Sequence, residues 1–144
     1  MVAKMGLRRL AREYTLQILY AIDVCKLEAE EAQQSFWEGH KSGKKVLEFA
    51  TTLIEGTLKN LPQIDSLIVR YARNWDIDRM ASIDRNILRQ ATFEILYLPD
   101  IPINVIINEA IELAKKYSTE ESGKFVNGIL DKIGQTRSEK NLKE

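Results

Sequence analysis

Residues 103–117 read INVIINEAIELAKKY, and the spacing of their apolar members decides the fold class. Ile103, Ile106, Ile107, Ala110, Leu113, Ala114 and Tyr117 recur at three- and four-residue intervals. That spacing gathers them on one stripe of a helix turning about 100° per residue. Pro102 just ahead takes a first-turn position, where its missing N–H removes no helical hydrogen bond. Outward from this stretch the same period recurs, and strand alternation does not. It predicts helices over residues 8–25, 29–39, 44–59, 63–74, 80–98, 102–117 and 120–133. The expected fold is all-α, a compact bundle of about seven helices.

The breaks are equally legible. Pro62 follows the third segment, Asn74-Trp75-Asp76 separates the fourth from the fifth, and Pro99-Asp100-Ile101-Pro102 leads into the sixth. Ser118-Thr119-Glu120-Glu121 has the form of a capping box opening the last helix. Beyond Gly134 the segment QTRSEKNLKE holds one apolar residue, Leu142, and reads as a mobile tail. A division near Pro62 or Trp75 would give two helical halves.

Composition narrows the function classes. The chain has 144 residues, 44% hydrophobic and 29% charged, and its 21 basic and 21 acidic side chains cancel. This excludes a disordered chain, which carries fewer apolar residues and more net charge. It also excludes a protein whose overall charge alone would draw nucleic acid. The lone cysteine, Cys25, allows no internal disulfide and fits a reducing cytoplasm. No apolar run approaches the roughly 18 residues of a membrane span. The opening MVAKMGLRRL has no apolar leader segment.

Catalytic chemistry leaves no trace. One histidine, His40, and one cysteine cannot build a usual zinc site. Gly39 to Lys45 resembles a phosphate loop only superficially: three residues rather than four separate its glycines, and Lys45 replaces the Ser/Thr. It reads as a helix connection. The carboxylates mostly fall at helix-surface spacing with basic partners, such as Glu112 with Lys116. No enzyme, cofactor or metal is expected.

The surface is more informative. The first twelve residues hold Lys4, Arg8, Arg9 and Arg12 and no acid. On the first helix Leu10, Ala11, Tyr14, Ile18, Ala21 and Cys25 share one face. Arg8, Arg9 and Arg12 point the other way, followed on that side by Leu16, Leu19 and Tyr20. Two readings fit. Either the helix is central and buries both faces, or the second face is an interaction surface. In the latter case guanidinium groups would take phosphates, and Leu16, Leu19 and Tyr20 a protein or a stacked base. Phe125 lies at the edge of the last helix's core stripe, beside Glu121. Asp84 falls in line with Ile87, Leu88, Ala91 and Ile95, in a first turn where the helix dipole favours an acid.

Four blocks resemble one family. Arg9-Leu10-Ala11-Arg12-Glu13 with Leu16-Gln17-Ile18-Leu19-Tyr20, and Asp84-Arg85-Asn86-Ile87-Leu88-Arg89-Gln90-Ala91 continuing to Glu94, are similar to segments of the bacterial NusB family. Ile107-Asn108-Glu109-Ala110-Ile111-Glu112-Leu113-Ala114-Lys115 and Lys124-Phe125-Val126-Asn127-Gly128-Ile129-Leu130-Asp131 are more specific still. The resemblance covers roughly residues 8–132, in the family's order; residues 28–75 share helical character more than motif.

That resemblance implies two small helical subdomains, about 1–74 and 75–134, ahead of the tail 135–144. It implies a non-enzymatic antitermination factor that pairs with NusE, a ribosomal small-subunit protein, and binds single-stranded boxA RNA. The complex helps RNA polymerase read through terminators in ribosomal RNA operons and supports rRNA maturation. Carried over, Lys4, Arg8, Arg9 and Arg12 form the RNA-binding segment. Tyr20, Asp84, Glu121 and Phe125 face NusE, with Leu16 and Leu19 on the same apolar face. Asn108, Glu109 and Asn127 are expected in internal polar bonding. Four neutralised phosphates predict a log–log salt slope of about −3 for a single strand. Two alternatives stay open: a protein-interaction module without RNA binding, and an RNA-binding domain serving a separate rRNA methyltransferase. The oligomeric state is open too, since the second apolar faces could pair with another copy, as a homodimer, or with NusE.

Overall fold

The computed structural model describes residues 4–73 and 75–143, with side chains for 6–73 and 75–137. Seven α-helices are present among the described residues: α1 (Lys4–Val24), α2 (Ala29–Gly39), α3 (Lys44–Lys59), α4 (Leu61–Tyr71), α5 (Ser82–Tyr97), α6 (Ile103–Tyr117) and α7 (Glu120–Lys143). A 3-10 turn, Ile77–Arg79, precedes α5. No strand occurs among the described residues, as the helical period predicts.

Some boundaries differ from the sequence expectation, each for a local reason. Pro62 does not interrupt the chain between α3 and α4 but sits in the first turn of α4, where a proline loses no hydrogen bond. The cap of α7 is shifted by one residue. Ser122 N–H donates to Thr119 Oγ1 at 3.1 Å, while Ser118 ends α6, so Glu121 completes no capping box. Helix α7 also runs ten residues past 133. Arg137 anchors its extension by donating to the carbonyls of Ile95, at 3.3 Å, and Ile101, at 2.8 Å, which closes the C-terminal end of α5.

Two apolar clusters form the core. Ala11, Ile18 and Leu19 of α1 meet Ala32 of α2 and Val46, Ala50 and Ile54 of α3. The larger cluster joins α4 to α7 through Ile64, Ile68, Ile87, Leu88, Ile106, Leu113, Leu130 and Ile133. Helix α1 serves both, because Leu16 belongs to the second cluster. Leu53 of α3 and Ile64 and Ile68 of α4 also pack there, so the two clusters interleave along α3 and do not divide the chain at a single point. At Gly56 the missing Cβ matters: a methyl there would overlap the Phe93 ring, so α3 and α5 approach closely only with glycine at that point.

Candidate functional site

The seam between α1 and helices α5 and α6 is polar. Arg12 Nη2 donates to Glu94 Oε1 at 2.7 Å and Nε to Oε2 at 3.1 Å. The two side chains are 4% and 2% exposed. Burial pushes the Glu94 carboxyl up, opposed by the hydrogen bonds and charge of Arg12. Gln90 adds a bond from Nε2 to the Arg12 carbonyl at 3.1 Å. Further along, Asp23 accepts from Arg85 at 2.9 Å and from Asn86 at 3.0 Å. Arg89 grips Asp65 through both carboxylate oxygens. Most of the polar side chains of the block 84–94 are therefore spent inside the molecule.

This arrangement corrects one expectation outright. Arg12 is not a phosphate-binding residue on the surface, because its guanidinium is buried and bidentate to Glu94. Arg9 is 51% exposed but paired with Glu109 at 2.5 Å, and that pairing holds its pKa above the ordinary value. Arg8 is exposed, with its guanidinium carbon 4.7 Å from the centre of the Phe49 ring. The expected role of Lys4 falls outside the described side chains, although its backbone begins α1. Lys45, which sequence reasoning passed over as part of a connection, shares a groove with Arg8 between α1 and α3. Nothing in local spacing links two residues 37 positions apart, and only their common charge hinted at the grouping.

The second face of α1 divides. Leu16 and Leu19 are 2% and 3% exposed. Both are packed into the core because α1 is flanked on both sides, so neither offers the exposed apolar surface expected of it, although Leu16 contributes to the wall of the groove at Tyr20. Tyr20 is 37% exposed. With Leu16, Gln17, Ile83 and Tyr117 it lines an open, mostly apolar groove of about 320 Å³. Glu13 accepts from Tyr117 at 2.7 Å and from Lys116 at 2.5 Å, so Lys116 pairs across helices rather than with Glu112. Burial, then that hydrogen bond, pushes the Tyr117 hydroxyl up to about 12.

Next to Ile83, Asp84 is buried and accepts from Ser122 Oγ of α7 at 3.2 Å, while its Oδ1 has no partner. Burial pushes the carboxyl up, and the hydroxyls of Ser122 and Ser118 offset part of that. Glu121 is exposed, its carboxylate 3.5 Å from Lys124. Phe125 is half-buried and meets Trp75 edge-on with ring centres 5.8 Å apart. Trp75 is 53% exposed and was missed from the sequence, where a lone tryptophan in a connection was the available signal. Tyr20 thus lines the groove, whereas Asp84 is buried behind its wall residue Ile83 and is bonded through Ser122 to the helix carrying Glu121 and Phe125. Asn108 and Asn127 lie exposed on α6 and α7, contrary to the internal role expected of them, whereas Glu109 does bond internally.

Other polar features are structural. His40 stacks on Phe36 at 4.0 Å and its Nδ1 lies 3.0 Å from the Phe36 carbonyl, within the connection from α2 to α3. Among the described residues no group of three His, Cys, Asp or Glu side chains could hold a metal ion. No described helix is long and apolar enough to cross a membrane.

Comparison with known proteins agrees with this geometry. The NusB family model matches residues 9–135. The transcription antitermination protein NusB of Thermodesulfovibrio yellowstonii is 48% identical over 138 residues, covering 89% of this chain and 91% of that protein. Its Myxococcus xanthus counterpart is 46% identical over 133 residues, covering 90% and 95%. Among solved structures, T. maritima NusB superposes with a TM-score of 0.84 at 42% identity, covering 94% of this chain and 93% of that one. The structure of antitermination factors NusB and NusE in complex with dsRNA gives 0.84 at 29% identity, covering 92% and 98%. With a family model matching residues 9–135, relatives 46–48% identical over about nine-tenths of the chain and a fold that superposes on solved NusB structures, the chain belongs to the NusB family.

Proposed function

We propose that the protein is an RNA- and protein-binding adaptor of transcription antitermination, acting in the cytoplasm by binding and without catalysis. It pairs with the ribosomal protein NusE and holds boxA-type single-stranded RNA for a transcribing RNA polymerase. The observation that carries this reading is the fold shared, over 92% of the chain, with a NusB solved together with NusE and dsRNA. Supporting it are the cationic end of α1, with Arg8 and Arg9, and the apolar groove at Tyr20 with its Trp75–Phe125 neighbour.

Taking Arg12 out of the cationic surface lowers the expected phosphate count to three, Lys4, Arg8 and Arg9. The salt slope for a single strand then becomes about −2. Between 50 and 200 mM salt the affinity falls roughly 20-fold. A chain with no net charge binds RNA weakly alone, and a basic partner supplies the missing phosphate contacts.

Titration of labelled boxA RNA with and without NusE tests the proposal. Tighter binding in the ternary mixture is expected, and no gain in affinity would sink it. Tyr20→Asp should weaken NusE binding while leaving helicity unchanged, since that ring is 37% exposed.

A further inference from the structure

The groove between α1 and α3 lies outside the partner surface just described. It encloses about 420 Å³ and is lined by Leu7 and Arg8 of α1 and by Lys45, Glu48, Phe49 and Thr52 of α3. Its chemistry is cationic and aromatic. Phe49 lies against two guanidinium groups, that of buried Arg12 at 5.3 Å and that of exposed Arg8 at 4.7 Å. Since Glu94 fixes Arg12, the ring it packs against is fixed too. Arg8 lies against the same ring at the groove wall. Stacking uses the face of a guanidinium and leaves its N–H edge free for phosphate oxygens. Lys45 is exposed, and no acid pairs with it among the described residues. Its neighbour Lys44 instead approaches Glu48 at 3.8 Å. Thr52 Oγ1 donates to the Glu48 carbonyl at 3.0 Å.

We infer that this groove continues the RNA path. Arg8 and Lys45 hold one backbone phosphate of a single strand, and Phe49 is the positioning residue that aims Arg8. The inference rests on the RNA-binding reading above and extends it from the end of α1 onto α3. Two features favour a nucleic-acid strand over a protein segment. The cations Arg8 and Lys45 on its wall outnumber the single acid Glu48, and Arg8 belongs at once to this groove and to the cationic end of α1. Glu48 is the one repulsive group for a strand entering it, which makes it a handle on affinity.

The test measures fluorescence anisotropy of labelled boxA-type RNA from 50 to 200 mM salt, with the full chain and NusE present. Lys45→Ala should weaken binding and flatten the log–log slope by about 0.7. Its deficit relative to the unsubstituted chain should then shrink about 2.6-fold across that salt range. Glu48→Gln should tighten binding, and Lys59→Ala, exposed at the far end of α3, should change neither quantity. Phe49→Leu should match Arg8→Ala in affinity loss, and combining the two should add little. Circular dichroism confirms that each variant folds, and the exposed Lys45 and Glu48 keep the test available if Phe49→Leu does not. If Lys45→Ala and Glu48→Gln leave affinity and slope unchanged while Arg8→Ala reduces both, the groove inference is overturned and the adaptor reading stands. If the unsubstituted chain with NusE does not bind the RNA, both fall.

Discussion

Replacing Arg12 by Met tests the polar seam most directly. In the folded chain the Glu94 carboxylate is 2% exposed and takes hydrogen bonds from both Nε and Nη2 of Arg12. Methionine fills the aliphatic stem's volume but leaves the carboxylate buried without its counter-charge. Breaking one side of such a pair costs about 3–5 kcal/mol, against a total stability of about 5–15 kcal/mol for a domain. With a urea slope of about 2 kcal/mol per M, the unfolding midpoint should fall by about 2 M with that slope unchanged. The pair Arg12→Met with Glu94→Leu removes both charges and should recover most of the loss, because a buried ion pair and an apolar pair of similar volume are often equivalent. Acid should also shrink the single variant's deficit. Glu94 without its guanidinium takes up a proton in the folded state at a pH where the unfolded chain is still ionised, so folding gains as pH falls through that window. A midpoint within about 0.3 M of the unsubstituted chain, or a double variant no better than the single one, would refute the assignment of Arg12 to the core.

Three further outcomes follow from the same contacts. Gly56→Ala adds a good helix former worth about 1 kcal/mol but drives a methyl into the Phe93 ring, and overpacking of about 1–3 kcal/mol or more should dominate; a raised melting temperature would contradict the close α3–α5 approach. Asp84→Asn should stabilise the isolated protein by about 1 kcal/mol at neutral pH, since it removes a buried charge with an unpartnered oxygen. Because burial raises the Asp84 pKa, that gain should vanish once acid has protonated the native carboxyl, which urea midpoints at neutral and acid pH would reveal. At Asp23, burial pushes the pKa up, but hydrogen bonds from Arg85 and Asn86 with the charges of Arg85 and Arg89 outweigh it and hold it below the ordinary value. Its stabilisation is therefore present above the unfolded-state pKa and is lost as pH falls through the folded value, so Asp23→Asn should flatten the acid limb of the stability profile.

The helices were legible because amphipathic period is local. The stripe of α6 is complete within fifteen residues, and Ile106, Ala110, Leu113 and Ala114 are all buried. The surface was half legible for a related reason. Arg8 and Arg12 stand one turn apart and look alike in sequence, yet one meets a phenyl ring at the surface and the other a carboxylate 82 residues away. Leu16, Leu19 and Tyr20 share a face of α1, but which of them is covered depends on where α3 and α5 lie, and no spacing rule reports that. The resemblance to a family drew attention to the second face of α1 and could not separate an exposed cation from a buried one.

The seam also bears on the order of events during synthesis. Arg12 waits for Glu94, 82 residues on, and Glu13 waits for Lys116, 103 residues on. At about 5–20 residues per second, a ribosome takes about 4–16 s to supply the first of these partners. During that interval α1 leaves the exit tunnel with Leu16 lacking most of its packing neighbours and Arg12 still without its acid. Nascent chains of this protein therefore pass through a stage with Arg12 and Leu16 uncovered, which the finished molecule never shows.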